Sequence, residues 1–286
     1  MAFRYAGFAD EAGKTLAQQI QATQLAKWSA IELRAIDSKN VCDLTPGAWA
    51  STWAQLQEAG ISVAGFGSQI ANWSRTIETP LAKDEEELRR AIPYMQECGC
   101  KLIRIMSYPN VKENPWPKEK WRDEAIRRLQ HLAEIAGDHG IILGHENCSG
   151  YAGGGPEEAL ELIAGVDHAS FQLIFDTGNN SGHTEIQDIE NTWRYYEAVK
   201  DHVIHVHIKA FKPGAEAGKL VTCFPDEDPV QARIINDLKN RGYDGWLSIE
   251  PHIAAIAHTG ERADVDKSTV VYVEYTQRLE KLVKSI

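Results

Sequence analysis

The sequence alternates eight times between a short apolar run and a longer segment of helical character. This alternation limits the fold more than any other feature, because a strand that is followed by a helix returns to its sheet through a crossover, and its neighbours are then parallel. Eight such units in 286 residues predict a single (β/α)8 (TIM) barrel rather than an open, doubly wound sheet. No linker or change of composition divides residues 1–286, so one catalytic domain is expected.

The predicted elements cover most of the chain. The strands are predicted at 3–9, 30–35, 61–67, 101–107, 140–146, 171–177, 202–209 and 245–250. The helices are predicted at 13–28, 46–59, 80–98, 118–138, 156–165, 188–200, 228–241 and 261–284. Loops that follow strands are the longer ones, notably 108–117 and 210–228. Because catalysis in such barrels takes place at the carboxyl ends of the strands, these loops are expected near the site. A decoration without a catalytic part is the alternative for 210–228.

Composition excludes several classes of function. A formal net charge of −11 opposes binding to a phosphate backbone, so nucleic acid is not an expected partner. The first residues, MAFRYAGFAD, lack an apolar signal core, and no apolar run approaches the ~18 residues of a membrane span. The five cysteines are scattered, as in proteins of a reducing compartment. These features predict a cytoplasmic protein without a membrane partner.

Four consecutive predicted strands end in a group that can bind a metal ion. The fifth ends at Glu146, the sixth at Asp176, the seventh near His207 and the eighth at Glu250. A single acid at a strand end is often a helix cap or an ion-pair partner, but three acids at one rim repel each other unless a cation lies among them. Oxygen ligands with one nitrogen suit Mn²⁺, Mg²⁺ or Co²⁺ better than a thiolate-type zinc site. A divalent metal is therefore expected, with Mn²⁺ first and Mg²⁺, Co²⁺ or Zn²⁺ as alternatives.

Four motifs in this order resemble the xylose-isomerase-like TIM-barrel superfamily, which includes sugar and sugar-phosphate isomerases and epimerases. They are HEN (145–147), FDTGN (175–179), HVHIK (205–209) and SIEPH (248–252). The resemblance extends over the whole chain and implies that the metal ligands are Glu146, Asp176, His207 and Glu250.

The resemblance also implies that Glu146 and Glu250 flank the substrate as proton-transfer groups. Members commonly have an aspartate after HxHxK, where this chain has Ala210, so one supporting polar contact is missing. The superfamily includes DNA-repair endonucleases with a trinuclear zinc site. This chain lacks the matching histidines on its earlier strands, which argues against that activity.

Other groups near the rim are candidates for catalysis or for substrate binding. His145 is either a further catalytic group or a packed side chain, since strict alternation turns it away from the barrel axis. Glu32 and Arg34 share one face of the second strand and could form a buried pair. Lys209 is expected either to contact a substrate oxygen or to neutralise the acids. The predicted substrate-binding residues are Arg34, Arg104, Asn179, His183, Lys209, His252 and Trp116.

These residues predict a metal-dependent isomerase or epimerase that acts on a keto sugar or sugar phosphate through an ene-diolate. The same intermediate could expel a β-substituent, which would make the protein a lyase acting on a 3-keto-glycoside, with His145 as an extra base. A third reading is a barrel that binds a sugar or cyclitol without turnover, although binding alone does not need two opposed carboxylates. Related barrels often associate, so a homo-oligomer is also an open expectation.

Overall fold

The computed structural model describes residues 3–153, 155–179, 188–216, 218–253 and 265–286. Within them, eight parallel strands form one nearly closed barrel. The strands are β1 (Arg4–Gly7), β2 (Ala30–Leu33), β3 (Ser62–Gly67), β4 (Leu102–Ser107), β5 (Ile142–Gly150), β6 (Phe171–Asp176), β7 (Val203–Ile208) and β8 (Trp246–Ile249). From β2 to β8 each strand pairs with the next one in the sequence, and β8 also pairs with β1. Strands β1 and β2 meet only through a bridge between Phe8 and Glu32. The predicted (β/α)8 barrel is confirmed.

Helices follow the strands around the outside of the barrel. They are α1 (Leu16–Leu25), α2 (Pro46–Glu58), α3 (Ala82–Cys98), α4 (Lys118–Asp138), α5 (Pro156–Val166), α6 (Ile189–Val199), α7 (Pro229–Asn240) and α8 (Val265–Ser285). Three of them begin with proline, whose missing N–H has no partner in the first turn of a helix anyway. Helix α1 is shorter than predicted because Thr15 and Gln18 cap each other's backbone N–H groups and fix its start.

The strands are apolar along most of their length because both of their faces are buried. Phe175 on β6 points outward and packs its ring against Tyr195 and Tyr196 of α6, with ring centroids 5.7 and 5.5 Å apart. A side chain of this size contributes roughly 1.5–3 kcal/mol when it is fully buried. The next residue, Asp176, points to the other side of the strand, so the outer layer of the barrel is apolar while its inner, carboxyl-terminal end is polar.

The long segment after β7 has structure of its own. Ala210–Pro213 pairs antiparallel with Leu220–Cys223, and a short 3-10 turn follows at Pro225–Glu227. Asp228 then caps α7 and also accepts a hydrogen bond from the backbone N–H of Phe211. The predicted loop at 210–228 is therefore largely a hairpin tied to the start of α7. Among the described helices, none has the length and the apolar character that crossing a membrane would require.

Candidate metal centre and active site

Four polar side chains converge at the carboxyl end of the barrel. Glu146, Asp176, His207 and Glu250 each offer a ligand atom, and these atoms all lie within 4.8 Å of one another. The register of the sheet explains this arrangement, since Asp176 lies opposite His207 in the β6–β7 ladder. All four residues are buried. The structure thus brings together the four residues that the sequence indicated, and we call them the acidic cluster.

Asp176 is held by its own loop and by β5. Its Oδ1 accepts hydrogen bonds of 2.8 Å from the backbone N–H groups of Gly178 and Asn179. The Asn147 side chain accepts from the backbone N–H of Asp176 at 2.7 Å and donates to its carbonyl at 2.9 Å. Burial raises the pKa of Asp176 to about 6, although the charge of Lys209 opposes this. This role of Asn147 was not predicted from the sequence, where its place in HEN, next to Glu146, was the available signal.

Lys209 lies among the carboxylates. Its Nζ is 3.1 Å from Asp176 Oδ2 and 3.0 Å from Glu250 Oε2, and it donates to Asn179 Oδ1 at 2.9 Å. The side chain is almost fully buried, so the ammonium has exchanged its water for these oxygens. Of the two roles expected for Lys209, this placement corresponds to neutralising the acids.

Glu146 lies between an arginine and a histidine. Arg104 NH1 donates to Glu146 Oε2 at 3.1 Å, and His207 Nδ1 lies 2.9 Å from Glu146 Oε1. Burial alone raises the pKa of Glu146, but the charges of Arg104 and His207 outweigh it and lower the pKa to about 2. Burial in turn lowers the pKa of His207, but Glu32 and Glu146 prevail and raise it to about 10.

The carboxylate of Glu250 is bound by side chains at the rim of the barrel. Arg34 NH1 donates to Glu250 Oε1 at 2.5 Å, while its Nε and NH2 bind the two oxygens of Asp10 at 2.9 and 3.0 Å. His252 Nε2 lies 3.2 Å from Glu250 Oε1 and 3.3 Å from Glu11 Oε1. Burial acts to raise the pKa of Glu250, yet Lys209 and these partners hold it well below its ordinary value. Arg34 and His252 are the most exposed of these side chains, and Arg34 directly follows β2 at the carboxyl end of the barrel, which forms the mouth of the site.

Glu32 departs from its expected pairing with Arg34. Its carboxylate instead contacts His205 and His207, and Arg34 binds Asp10, Glu11 and Glu250. The bulge between Ile31 and Glu32 breaks the regular register of β2 with β3. Glu32 and Arg34 therefore contact different layers of polar side chains in the barrel.

His145 does not reach the acidic cluster. It lies opposite Leu173 in the β5–β6 ladder, and its ring packs 6.1 Å from that of Phe171, in a pocket lined by Tyr195 and Val199 of α6. Burial lowers its pKa to about 4, so the ring is neutral. Of the two roles expected for His145, this placement corresponds to the packed side chain, because the alternation of β5 persists as far as His145 and directs the ring towards the helices.

The remaining predicted binding residues divide into three groups. Arg104, Asn179 and His252 contact the acidic cluster or Lys209, as described above. Trp116 lies in the β4–α4 loop. Its Nε1 donates a hydrogen bond to Glu78, and the ammonium of Lys120 lies over its ring. His183 lies outside the described residues. The set that surrounds the cluster thus omits Trp116 and gains Asp10 and Glu11, which were not predicted from the sequence.

The acidic cluster has the chemistry of a divalent metal site. It combines three carboxylates with one imidazole, and hard cations such as Mg²⁺ and Mn²⁺ prefer this mainly oxygen donor set. Asp176 Oδ2 is buried and makes no hydrogen bond within the described residues, and the Lys209 ammonium lies 3.1 Å from it, so a positive charge already occupies the place where this donor atom would meet a cation. The residues present therefore fit a divalent cation, and they do not by themselves select which one.

Comparison with known proteins identifies the family. Residues 20–268 match the xylose isomerase-like TIM-barrel family. The chain belongs to this family. An inosose dehydratase of Bacillus licheniformis is 30% identical over 154 residues, which are 49% of this chain and 49% of that protein. The similarity thus spans about half the length of that curated relative.

Solved structures of the same family share the fold. A xylose isomerase-like TIM-barrel protein from Mycobacterium smegmatis, in complex with magnesium, has a TM-score of 0.71 and 17% identity over 98% of this chain and 97% of that one. D-allulose 3-epimerase from Methylomonas sp., in complex with D-allulose, has a TM-score of 0.67 and 20% identity over 98% of this chain and 99% of that one. At these identities the likeness concerns the fold alone. The relatives of this chain include both an epimerase and a dehydratase, so family membership leaves the reaction open.

Proposed function

We propose that this protein is a divalent-metal-dependent isomerase or epimerase that acts on a keto sugar or sugar phosphate. The observation that carries the proposal is the placement of two buried carboxylates, Glu146 and Glu250, at the carboxyl ends of the first and the last of the four strands that form the acidic cluster. They come from β5 and β8, and Asp176 and His207 come from the strands between them. A substrate bound over the middle of the cluster would have a carboxylate on each side.

The four residues of the acidic cluster would hold the metal. When bound, a divalent cation polarises a carbonyl and stabilises the negative charge that forms on its oxygen. Mn²⁺ remains our first expectation, and Mg²⁺, Co²⁺ and Zn²⁺ are alternatives.

The chain's own groups would move the proton. Both glutamates have lowered pKa values, so each is ionised at neutral pH and can accept a proton from the carbon beside the carbonyl. Return of the proton to the neighbouring carbon would isomerise the sugar. Epimerisation would need the opposite glutamate to take up a proton from solvent and deliver it to the same carbon from the other face, while the first glutamate keeps the proton that it removed and later loses it to solvent. Arg34, at the mouth of the site, would donate hydrogen bonds to substrate oxygens.

A lyase is the second candidate, and two observations favour it. One is the 30% identity with an inosose dehydratase over half of the chain. The other is the buried ammonium of Lys209, 3.0 Å from Glu250, which could protonate a leaving oxygen while a glutamate removes the proton. Such a lyase would release water from a keto-cyclitol or an alcohol from a 3-keto-glycoside. Because His145 faces the helices, the base would be Glu146 or Glu250.

Proton exchange with solvent tests the proposal. The protein would be loaded with Mn²⁺ or Co²⁺ and incubated in D₂O with ketoses, ketose phosphates, keto-cyclitols and 3-keto-glycosides, with NMR detection. Deuterium beside the carbonyl together with a new sugar supports the isomerase or epimerase. Deuterium together with loss of a hydroxyl or an aglycone supports the lyase instead. Saturable binding without exchange across the panel would overturn both and favour a binding barrel.

A further inference from the structure

A second polar layer lies directly beneath the acidic cluster. Glu32 on β2 extends into the barrel and contacts side chains of β7 and β8. His205 Nε2 lies 3.0 Å from Glu32 Oε2, and Ser248 Oγ donates to the same oxygen at 2.5 Å. His207 Nε2 lies 3.1 and 3.2 Å from the two Glu32 oxygens. His207 is therefore shared by both layers, with Nδ1 facing Glu146 and Nε2 facing Glu32.

These contacts define the proton positions on the imidazole. An ionised carboxylate only accepts hydrogen bonds, and here two ring nitrogens and one hydroxyl converge on the two oxygens of Glu32. All three contacts are satisfied when each of these groups donates. His207 then carries a proton on Nε2, and a neutral ring has its lone pair on Nδ1, which is the nitrogen that faces the acidic cluster. A metal ligand commonly has its other ring N–H bound to a carboxylate in this way.

Packing prevents the ring of His207 from adopting another orientation. The Phe8 ring meets it edge to face at 5.0 Å, and the His205 ring does so at 5.2 Å. Glu32 is equally confined, because a Cβ added at Gly65 would lie 3.2 Å from Glu32 Oε1. Glu32 and both histidines are fully buried, so water does not compete for these contacts.

We propose that Glu32 is the positioning residue of this metal site: it holds the Nε2–H of His207 and thereby presents Nδ1 to the cation. The inference rests on the proposed function, since it assumes that the acidic cluster binds a divalent metal. It adds a residue from β2, on the far side of the barrel axis, to a site whose four proposed metal ligands lie on β5 to β8 or directly after them.

The test compares metal affinity between Glu32→Gln and wild type. An amide has the same shape but presents an N–H group, which opposes the Nε2–H of His207 and favours the tautomer with its proton on Nδ1. Loss of such a supporting carboxylate typically weakens metal binding by about 10–100-fold, and we expect a loss in this range for Mn²⁺ by titration calorimetry. The absorption spectrum of the Co²⁺-loaded protein should also change, because the ligand atom is displaced.

Glu87→Gln is the matched control. Glu87 is a fully buried carboxylate paired with Arg75, outside the two layers described here, so its amide variant should lose stability without losing metal affinity. Glu32→Asp keeps the charge but is one methylene shorter, and its metal affinity should lie between wild type and Glu32→Gln. This partial recovery distinguishes positioning from a general effect on folding.

The outcomes separate the two proposals. If wild type binds neither Mn²⁺ nor Co²⁺, the proposed function fails. If wild type binds metal and Glu32→Gln binds it equally well with an unchanged Co²⁺ spectrum, the role of Glu32 is overturned and the proposed function stands. Should Glu32→Gln not fold, Glu32→Asp decides: affinity equal to wild type overturns the inference, and weaker binding in a folded protein supports it.

Discussion

Removal of the Lys209 ammonium should destabilise the metal-free protein and strengthen its binding of metal. In Lys209→Met, the long apolar side chain fills a similar volume, but Asp176 and Glu250 lose the cation that lies 3.1 and 3.0 Å from them. Removing one partner of a buried ion pair typically costs about 3–5 kcal/mol. The lower end applies here, because the pKa of Asp176 is already raised to about 6 and the carboxyl can take up a proton.

A divalent cation and the ammonium compete for the same oxygens. In wild type the metal must displace Lys209 from Asp176 and Glu250, whereas in Lys209→Met these oxygens are free. We expect the variant to bind Mn²⁺ at least about tenfold more tightly, which corresponds to about 1.4 kcal/mol. Urea unfolding of the metal-free proteins measures the first effect, and titration calorimetry measures the second.

Lys212→Met is the control for this experiment. Lys212 lies three residues further along the chain and pairs with Glu227 at 2.8 Å, but both side chains are substantially exposed. Exposed pairs contribute about 0–1 kcal/mol, so this variant should resemble wild type in stability and in metal affinity. A Lys209→Met protein with wild-type stability and no gain in Mn²⁺ affinity would refute the competition between ammonium and metal.

Four further outcomes are expected. Glu250→Gln should lower kcat by about 100-fold or more with a much smaller change in KM, because a proton-transfer group acts in the transition state; a change confined to KM would contradict that role. The pKa of His207, raised to about 10, means that a metal bound at Nδ1 displaces a proton, so Mn²⁺ affinity should rise with pH between 7 and 9. Calorimetry in buffers of different ionisation enthalpy counts the protons released. The stability of the metal-free protein should change in the opposite direction: the contribution of the charged His207 is complete below pH 6.5 and is lost as the pH rises through about 10, which thermal melts can follow. The kcat of His145→Gln should stay within about threefold of wild type, because the His145 ring faces α6. A large loss of kcat in a folded His145→Gln protein would show that His145 takes part in catalysis.

The fold and the acidic cluster follow from local rules that a sequence displays. Strand and helix alternation indicated the barrel, and Asp176 could be placed because it ends an apolar strand at the rim where the neighbouring strands also end. The same rule of alternating faces indicated that His145 would point outward. A twist at the end of β5 was the alternative, and the sequence could not exclude it.

Contacts across the barrel were harder to predict. Glu32 and Arg34 share one face of β2, and their spacing suggested a pair, but the bulge at Glu32 and the closure of the barrel give them different partners. Asp10, Arg34 and Glu250 are far apart in the sequence and meet only once the barrel closes. Pairings of this kind depend on the register of all the strands, which no single segment of sequence specifies.

In the described barrel, β1 and β2 are joined only by the bridge between Phe8 and Glu32, so they are its least continuously paired neighbours. Local opening is expected to be easiest there, and it would separate Glu32 from His207 on the opposite wall. A ligand that binds only the closed form stabilises it by mass action, so metal loading should slow amide hydrogen exchange at this junction. The bound cation would then help to keep β1 and β2 paired and the barrel closed, although these two strands supply none of the four ligands of the acidic cluster.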